Sequence, residues 1–476
     1  MSRGNTRKSV PLWSAWWGIV SQLRPAFSRT ATFLWFAAAL AATCARGDLR
    51  GVTSFVRALG LTERCYGRLL GMFHSTAVRR DNLPALWTRV ALSLLKPFLF
   101  CVNGRIVLLA DGIKAPKTGR RMPGVKKLHQ ESQNNSKPEY IFGHSCQAIA
   151  VVARAAAGFV AVPLACAIHE GVVFTNRDKR TLLDKIAIML GSLEISLPHY
   201  LAGDIYYAAK PVIRRLRAAG QHLVSAVKSN AVAYLAPEEP TVRRRGRPRK
   251  YGRKVKLKSL FDEIGTFVTA PSPVYGERGM EILMRVIDLH WKPAGGLVRF
   301  VLVIHPTRGR RIFLCTDTTI DGIDVVRIYG VRFKIEVTFK HAVHSVGTWC
   351  YHFWMAAMKP RKLRSGNQYV HKETKRYRQS VTRKLGAYHC FLQMGVIAQG
   401  LLQMLAILHP DTVWRRFGSW LRTVRPGVAP SEQIVALALR ECLPGFIAVS
   451  RESNPLAKII SENLDLDRAE GFRLAS

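Results

Sequence analysis

The chain is 476 residues long and 48% hydrophobic, and 72 Lys and Arg against 31 Asp and Glu leave a formal charge of +41. That length holds roughly two to four domains with real cores, which excludes a disordered basic tail, and the charge excludes a neutral metabolic enzyme. A polyanion is the natural partner, either nucleic acid or an anionic membrane surface. Nine cysteines form no CxxC pair and leave one unmatched. A zinc ribbon or disulfide scaffold is thereby disfavoured, and a reducing compartment, the cytoplasm, is the simpler setting.

The opening MSRGNTRKSVPLWSAWWGIV is basic then aromatic, but Gln22, Arg24 and Pro25 cut the apolar run short, and no signal peptide is read. Ala31–Ala45 is 15 residues, below the ~20 a bilayer span needs. Residues 1–100 read as a helical, DNA-binding region. Within it, VTSFVRALGLTERCYGRLLGMF predicts a short helix, a turn at Gly60 and a second helix capped by Thr62. That spacing suits a helix-turn-helix offering Arg64 and Arg68 to a groove, and also an ordinary helical hairpin.

From residue 105 the pattern turns to strands. RIVLLAD is a short buried run ending in Asp111. Tyr140–Arg154 and Gly158–His169 read as paired strands, Arg177–Leu193 as an amphipathic helix, and HYLAGD as a second buried run ending in Asp204. Helix Ala208–Ala219 and strand His222–Lys228 follow, giving a mixed α/β sheet over 101–230 with acids at two strand ends. Residues 231–319 hold a basic loop and a β-rich insertion. The loop PEEPTVRRRGRPRKYGRKVKLK carries ten basic residues between Arg243 and Lys258. Its Arg245, Arg247, Arg249 and Lys250 suit a narrow minor groove. The insertion strands are Glu281–His290, Leu297–His305 and Arg310–Thr316. Trp291 closes the first of them, either as a base wedge or as part of a hairpin core.

A helix is expected over Ile320–Val343, within a last-acid segment at 320–358. A second basic stretch, with ten Lys and Arg between Lys359 and Lys384, opens a helical region at 359–476. Leu385–His409 is long and apolar but carries His389, Gln393, Gln399 and Gln403, which suit a packed helix in a soluble domain better than a membrane span. His144, His169 and His199 read as hydrogen-bonded core or edge residues.

Asp111, Asp204 and Glu336 are the acids that can do chemistry. Carboxylates from neighbouring strands and a crossing helix can hold two Mg²⁺ ions about 4 Å apart, with Mn²⁺ as a substitute, for in-line displacement at phosphorus. Tyr329, Arg332 and Glu336 are spaced three and four, so on a continuous helix they share one face. By spacing alone, a surface Arg–Glu pair with tyrosine packed beside it explains them too.

The block DGIKAPKTGRRMPGVKKLHQESQNNSKPEYIFGHS, then LAGDIYYAAKPVI, then YGVRFKIEVTFKHA, resembles the DDE transposases of bacterial insertion sequences. The resemblance is to the branch with a Tyr-x2-Arg-x3-Glu-x6-Lys signature. It implies a ribonuclease-H-like catalytic core interrupted by the β-rich insertion and flanked by helical regions. It also implies Asp111, Asp204 and Glu336 as the metal-binding triad, Tyr329 and Arg332 on DNA phosphates, and a hairpin at the element end. Where the signature expects Lys this chain has Val343, and Lys340, one turn after Glu336, is the substitute.

The expected function is therefore a transposase that cleaves double-stranded DNA at element ends and joins the 3′-hydroxyls to a target. It would act as at least a dimer on DNA, associated with the nucleoid and not with a membrane. A metal-dependent nuclease or resolvase without strand transfer, and an inactive DNA-binding repressor, are the competing readings.

Overall fold

The computed structural model describes residues 12–49, 51–130, 138–156, 158–237, 249–417 and 427–467. Five helices come first: α1 (Leu12–Val20), α2 (Thr30–Ala45), α3 (Gly51–Ala58), α4 (Cys65–His74) and α5 (Asn82–Leu94). Gly60 takes φ +62° in the α3–α4 turn, a conformation only glycine adopts freely. Helix α4 begins at Cys65 with no side-chain cap. Thr62 does not cap it: its hydroxyl meets Arg64 Nε and Cys65 Sγ instead of a helix N–H, and its own N–H donates to the Asn463 carbonyl, which holds this turn against the C-terminal segment.

The sheet follows: β1 (Arg105–Pro116), β2 (Tyr140–Ala155) and β3 (Gly158–Ile168), then α6 (Leu182–Ser192), β4 (His199–Gly203), α7 (Lys210–Ala218) and β5 (His222–Ala226). Thr181 and Asp184 close a reciprocal capping box at the start of α6. Strands β1, β2 and β3 pair antiparallel in succession, while β1–β4 and β4–β5 are parallel. The order β3-β2-β1-β4-β5 with those directions is the ribonuclease-H-like arrangement. The continuous burial of Ile106–Ala110 and Tyr200–Ala202 suits strands covered on both faces.

Beyond β5 lie β6 (Val232–Tyr234), β7 (Lys254–Lys256), β8 (Glu281–Trp291), β9 (Gly296–His305) and β10 (Gly309–Cys315). These strands continue the same sheet, because β10 pairs antiparallel with β5 and β9 and β8 extend outward from it.

Two helices, α8 (Gly322–Gly330) and α9 (Lys334–His341), replace the single one expected over Ile320–Val343. Val331–Phe333 form a turn between them, and Ala342–Val346 end α9 in a π-turn. Together α8 and α9 cover one sheet face, packing Val325, Ile328, Val331 and Ile335 on Val107, Leu109, Ala202 and Val224. The other face packs on α10 (Lys375–Leu408) among others. The chain then continues through α11 (Pro410–Phe417), α12 (Glu432–Ser450) and α13 (Pro455–Ser461).

By length and composition α10 and α12 could each cross a membrane, but the apolar window of α10 is 94% buried inside the protein. Four of its polar residues each make a bond there: Gln393 donates to the Leu164 carbonyl, Gln399 to the Thr338 carbonyl and Gln403 Nε2 to Glu432, and His389 accepts from the Ile168 N–H. Gln403 Oε1 has no partner among the described residues.

Candidate active site

The parallel β1–β4 ladder ends at the pair Leu109–Ala202. Asp111 and Asp204 each stand two residues further on, Asp111 still within β1 and Asp204 just past the end of β4, so both follow the face of Leu109 and Ala202. That is the face covered by α8 and α9, since Leu109 and Ala202 belong to its core. Asp111 does not close its strand, as the RIVLLAD run suggested. β1 runs on to Pro116, paired with β2 alone, because only the parallel neighbour β4 turns away. Asp204 does close its strand and caps a short 3-10 turn, accepting from the Tyr206 N–H at 3.0 Å.

Glu336 lies in the first turn of α9, where a carboxylate is favoured by the helix dipole. Tyr329 ends α8, and Arg332 occupies the turn between the two helices. The shared helical face expected of Tyr329, Arg332 and Glu336 is therefore not the geometry that gathers them. The break does so instead, turning the Arg332 guanidinium to donate to Glu336 Oε1 at 2.7 Å and to Asp111 Oδ2 at 3.3 Å. The same guanidinium lies 5.8 Å from the centre of the Tyr329 ring.

Burial pushes the Asp111 carboxyl up to about 6. The Arg332 charge and the Gly112 N–H pull it down, and repulsion from Asp204 and Glu336 pushes it up. Three acids distant in sequence thus share one electrostatic environment. Burial opposes the charge on Arg332, yet Tyr329, Asp111 and Glu336 together hold it above its ordinary value.

A cleft of about 620 Å³ opens beside these residues. Asp204, Tyr329, Arg332 and Phe333 line one part of it, and Lys258, Arg308, Arg310 and Arg311 line another. Those four basic residues were not singled out in the sequence. The Arg-Gly-Arg-Arg run at 308–311, which spans the end of the β9–β10 turn and the start of β10, was the available signal. Among the described residues no three His, Cys, Asp or Glu groups stand close enough to share one metal ion, and Arg332 lies between two of the acids. By donor chemistry the site still fits Mg²⁺, which takes hard carboxylate oxygens and needs only one or two of them.

Trp291 is not a surface wedge. It is 7% exposed and meets Phe300 edge-on at 6.3 Å, closing the hairpin core, because its position on β8 faces the sheet interior. Arg64, just before α4, and Arg68 on α4 are exposed, with Arg68 donating to Asn463 Oδ1 and lying over the Trp35 ring. Lys340 and Val343 are both exposed beyond Glu336. Arg249 and Lys250 are exposed, whereas Arg245 and Arg247 lie outside the described residues. The three histidines are bonded: His144 to Tyr351 and the Pro123 carbonyl, His169 to Gln147, and His199 to the Leu197 carbonyl.

The chain is similar to the piggyBac transposase solved by cryo-EM in a synaptic complex with hairpin DNA. The identity is 12%, the TM-score 0.38, and the coverage 97% of this chain and 87% of that one. No curated protein sequence matches the chain. Residues 22–263 match the family model of the DDE superfamily endonucleases, a span that takes in Asp111, Asp204 and just over half of the chain. The chain belongs to the DDE superfamily endonucleases.

Proposed function

We propose that this endonuclease is a DNA transposase that nicks double-stranded DNA at the ends of a mobile element and joins the freed 3′-hydroxyls to target DNA. The reading rests on one observation: Asp111 on β1 and Asp204 just past the end of its parallel neighbour β4 stand near enough to repel, and Arg332 ties Glu336 to Asp111.

Each side chain then has a task. Asp111, Asp204 and Glu336 would hold two Mg²⁺ ions, or Mn²⁺ in their place. When bound, the metals supply activation of the attacking oxygen and neutralisation of the departing one. Arg332 is an exchangeable partner for the acids and the phosphate, since its planar fork suits either oxyanion. Tyr329 sets the height of that fork. The basic wall of the cleft draws the strand toward the acids, and the excess charge of the chain draws the duplex. Cutting and joining both ends of an element calls for at least a dimer on DNA in the nucleoid, with no membrane involved.

The test is to incubate the protein and Mg²⁺ with end-labelled DNA spanning the flanks of its gene, together with a supercoiled plasmid. Label joined covalently to the plasmid is the expected product. Nicks without joining would reduce the enzyme to a nuclease, and binding without nicks would make it a repressor.

A further inference from the structure

Two segments lead directly away from the acids and meet again on the surface. β1 continues past Asp111 to Pro116 and a loop at 117–125, while α9 continues past Glu336 into 347–366. Backbone bonds stitch the segments together: the Met355 N–H to the Arg121 carbonyl at 3.0 Å, Arg361 to Arg120 at 2.8 Å, and Lys127 to Ser365 at 2.9 Å. Beneath them the buried Lys117 ammonium donates to the carbonyls of Trp349 and Tyr351, and Met355, Met358, Val370 and Val381 form a small core. The surface is therefore built and held, although half of it belongs to a basic run that composition alone would assign to a solvated strand of charge.

Its outer side is unusual. Trp354 is 64% exposed, with Gly119 beside its indole nitrogen. Arg120, Arg121, Lys359, Lys362 and Arg364 are exposed on the same two segments. Neither Gly112–Lys127 nor Val337–Lys372 contains an acidic residue. Cations alone would only be solvated. An uncovered indole among them adds a flat apolar surface that water does not reward, and indole plus cations is the chemistry that meets bases and phosphates together. Five residues of strand separate Asp111 from Pro116, about 17 Å at roughly 3.3 Å per residue. That equals about five base-pair steps at roughly 3.4 Å each, so the strand that leads from Asp111 toward the Arg120 loop runs on the length scale of a DNA contact.

We propose that this face is a second DNA-binding surface, which grips the duplex beyond the end of the strand that carries Asp111. Arg120, Arg121, Lys359, Lys362 and Arg364 take phosphates, and Trp354 seats on a groove edge or base step. This surface binds duplex whether or not the acids cleave it.

The experiment measures affinity of the full chain for a fluorescein-labelled 30-base-pair duplex of arbitrary sequence, by anisotropy between 50 and 200 mM KCl. Replacing Lys359, Lys362 and Arg364 together by Gln should weaken binding at least about tenfold and reduce the slope of log Kd against log salt by about 2 to 3, near 0.9 per phosphate. Trp354→Ala should weaken binding about tenfold and Trp354→Phe no more than about threefold, because a phenyl ring still stacks. The same losses on an Asp111→Asn background keep the result separate from cleavage. An unchanged affinity and salt slope in the triple variant would overturn the proposal, as would Trp354→Phe failing to recover what Trp354→Ala loses.

Discussion

Arg332 donates to Asp111 at 3.3 Å although 221 residues of chain separate them, and both side chains are largely buried, at 17% and 18% exposure. Removing one member of such a pair leaves the other charge uncompensated. Arg332→Ala should therefore raise the Asp111 carboxyl further above its position near 6 and slow single-turnover nicking by about 10–100-fold. Arg332→Lys should recover little, because a point charge cannot bridge Asp111 and Glu336 as a planar fork does. Nicking rates of the two variants at saturating protein check this.

Loss of an acid should act on chemistry and not on DNA affinity. Asp111→Asn, Asp204→Ala and Glu336→Gln should each lower Mg²⁺-dependent nicking by more than about 100-fold, beyond the effect typical of an outer-shell partner. Duplex affinity should stay equal or tighten, since a carboxylate repels phosphate. Nicking by Asp204→Ala at the wild-type rate would remove that residue from the mechanism.

The burial of Trp291 against Phe300 makes it a stability residue. Trp291→Ala should cost about 3–5 kcal/mol in denaturant unfolding. The affinity of the folded fraction for duplex, and its salt slope, should not move.

Burial pulls His144 down to about 3 and His169 down to about 4. Both stay neutral in the fold, while the unfolded chain takes up their protons once pH falls below about 6.5. Their contribution to stability is thus complete above pH 6.5 and is lost progressively toward pH 3. Asp111, raised to about 6, works oppositely, holding its proton more tightly in the fold between about 4 and 6. The melting temperature should fall as pH drops from 6.5 to 4.5, and His144→Gln should flatten that fall.

Val343 stands where the signature resemblance expects lysine, and the exposed Lys340 lies three residues before it. Lys340→Gln should reduce the salt slope of DNA binding by about 1. Val343→Lys should tighten binding without loss of stability, because Val343 is already 38% exposed and nothing needs to repack.

The paired strands and the buried polar helix were legible in the sequence, for a common reason. Runs such as RIVLLAD, HYLAGD and Leu385–His409 carry their burial in local periodicity, which each segment displays without its neighbours. The same local reading failed where packing outweighs pattern. It ran one helix through Val331–Phe333, where the chain breaks, and it left Trp291 open between wedge and core until the strand register turned its ring inward.

By itself the sequence determined which residues bear charge, which segments bury both faces, and that three acids follow one another in a recognisable order. Only tertiary structure decided that Asp204 comes near enough to Asp111 to repel it, that Arg332 reaches across to join Glu336 to the first acid, and that Trp354 emerges among cations. The physical reason is that side-chain convergence depends on strand register and helix breaks set by contacts hundreds of residues apart, and no window of neighbouring residues contains them.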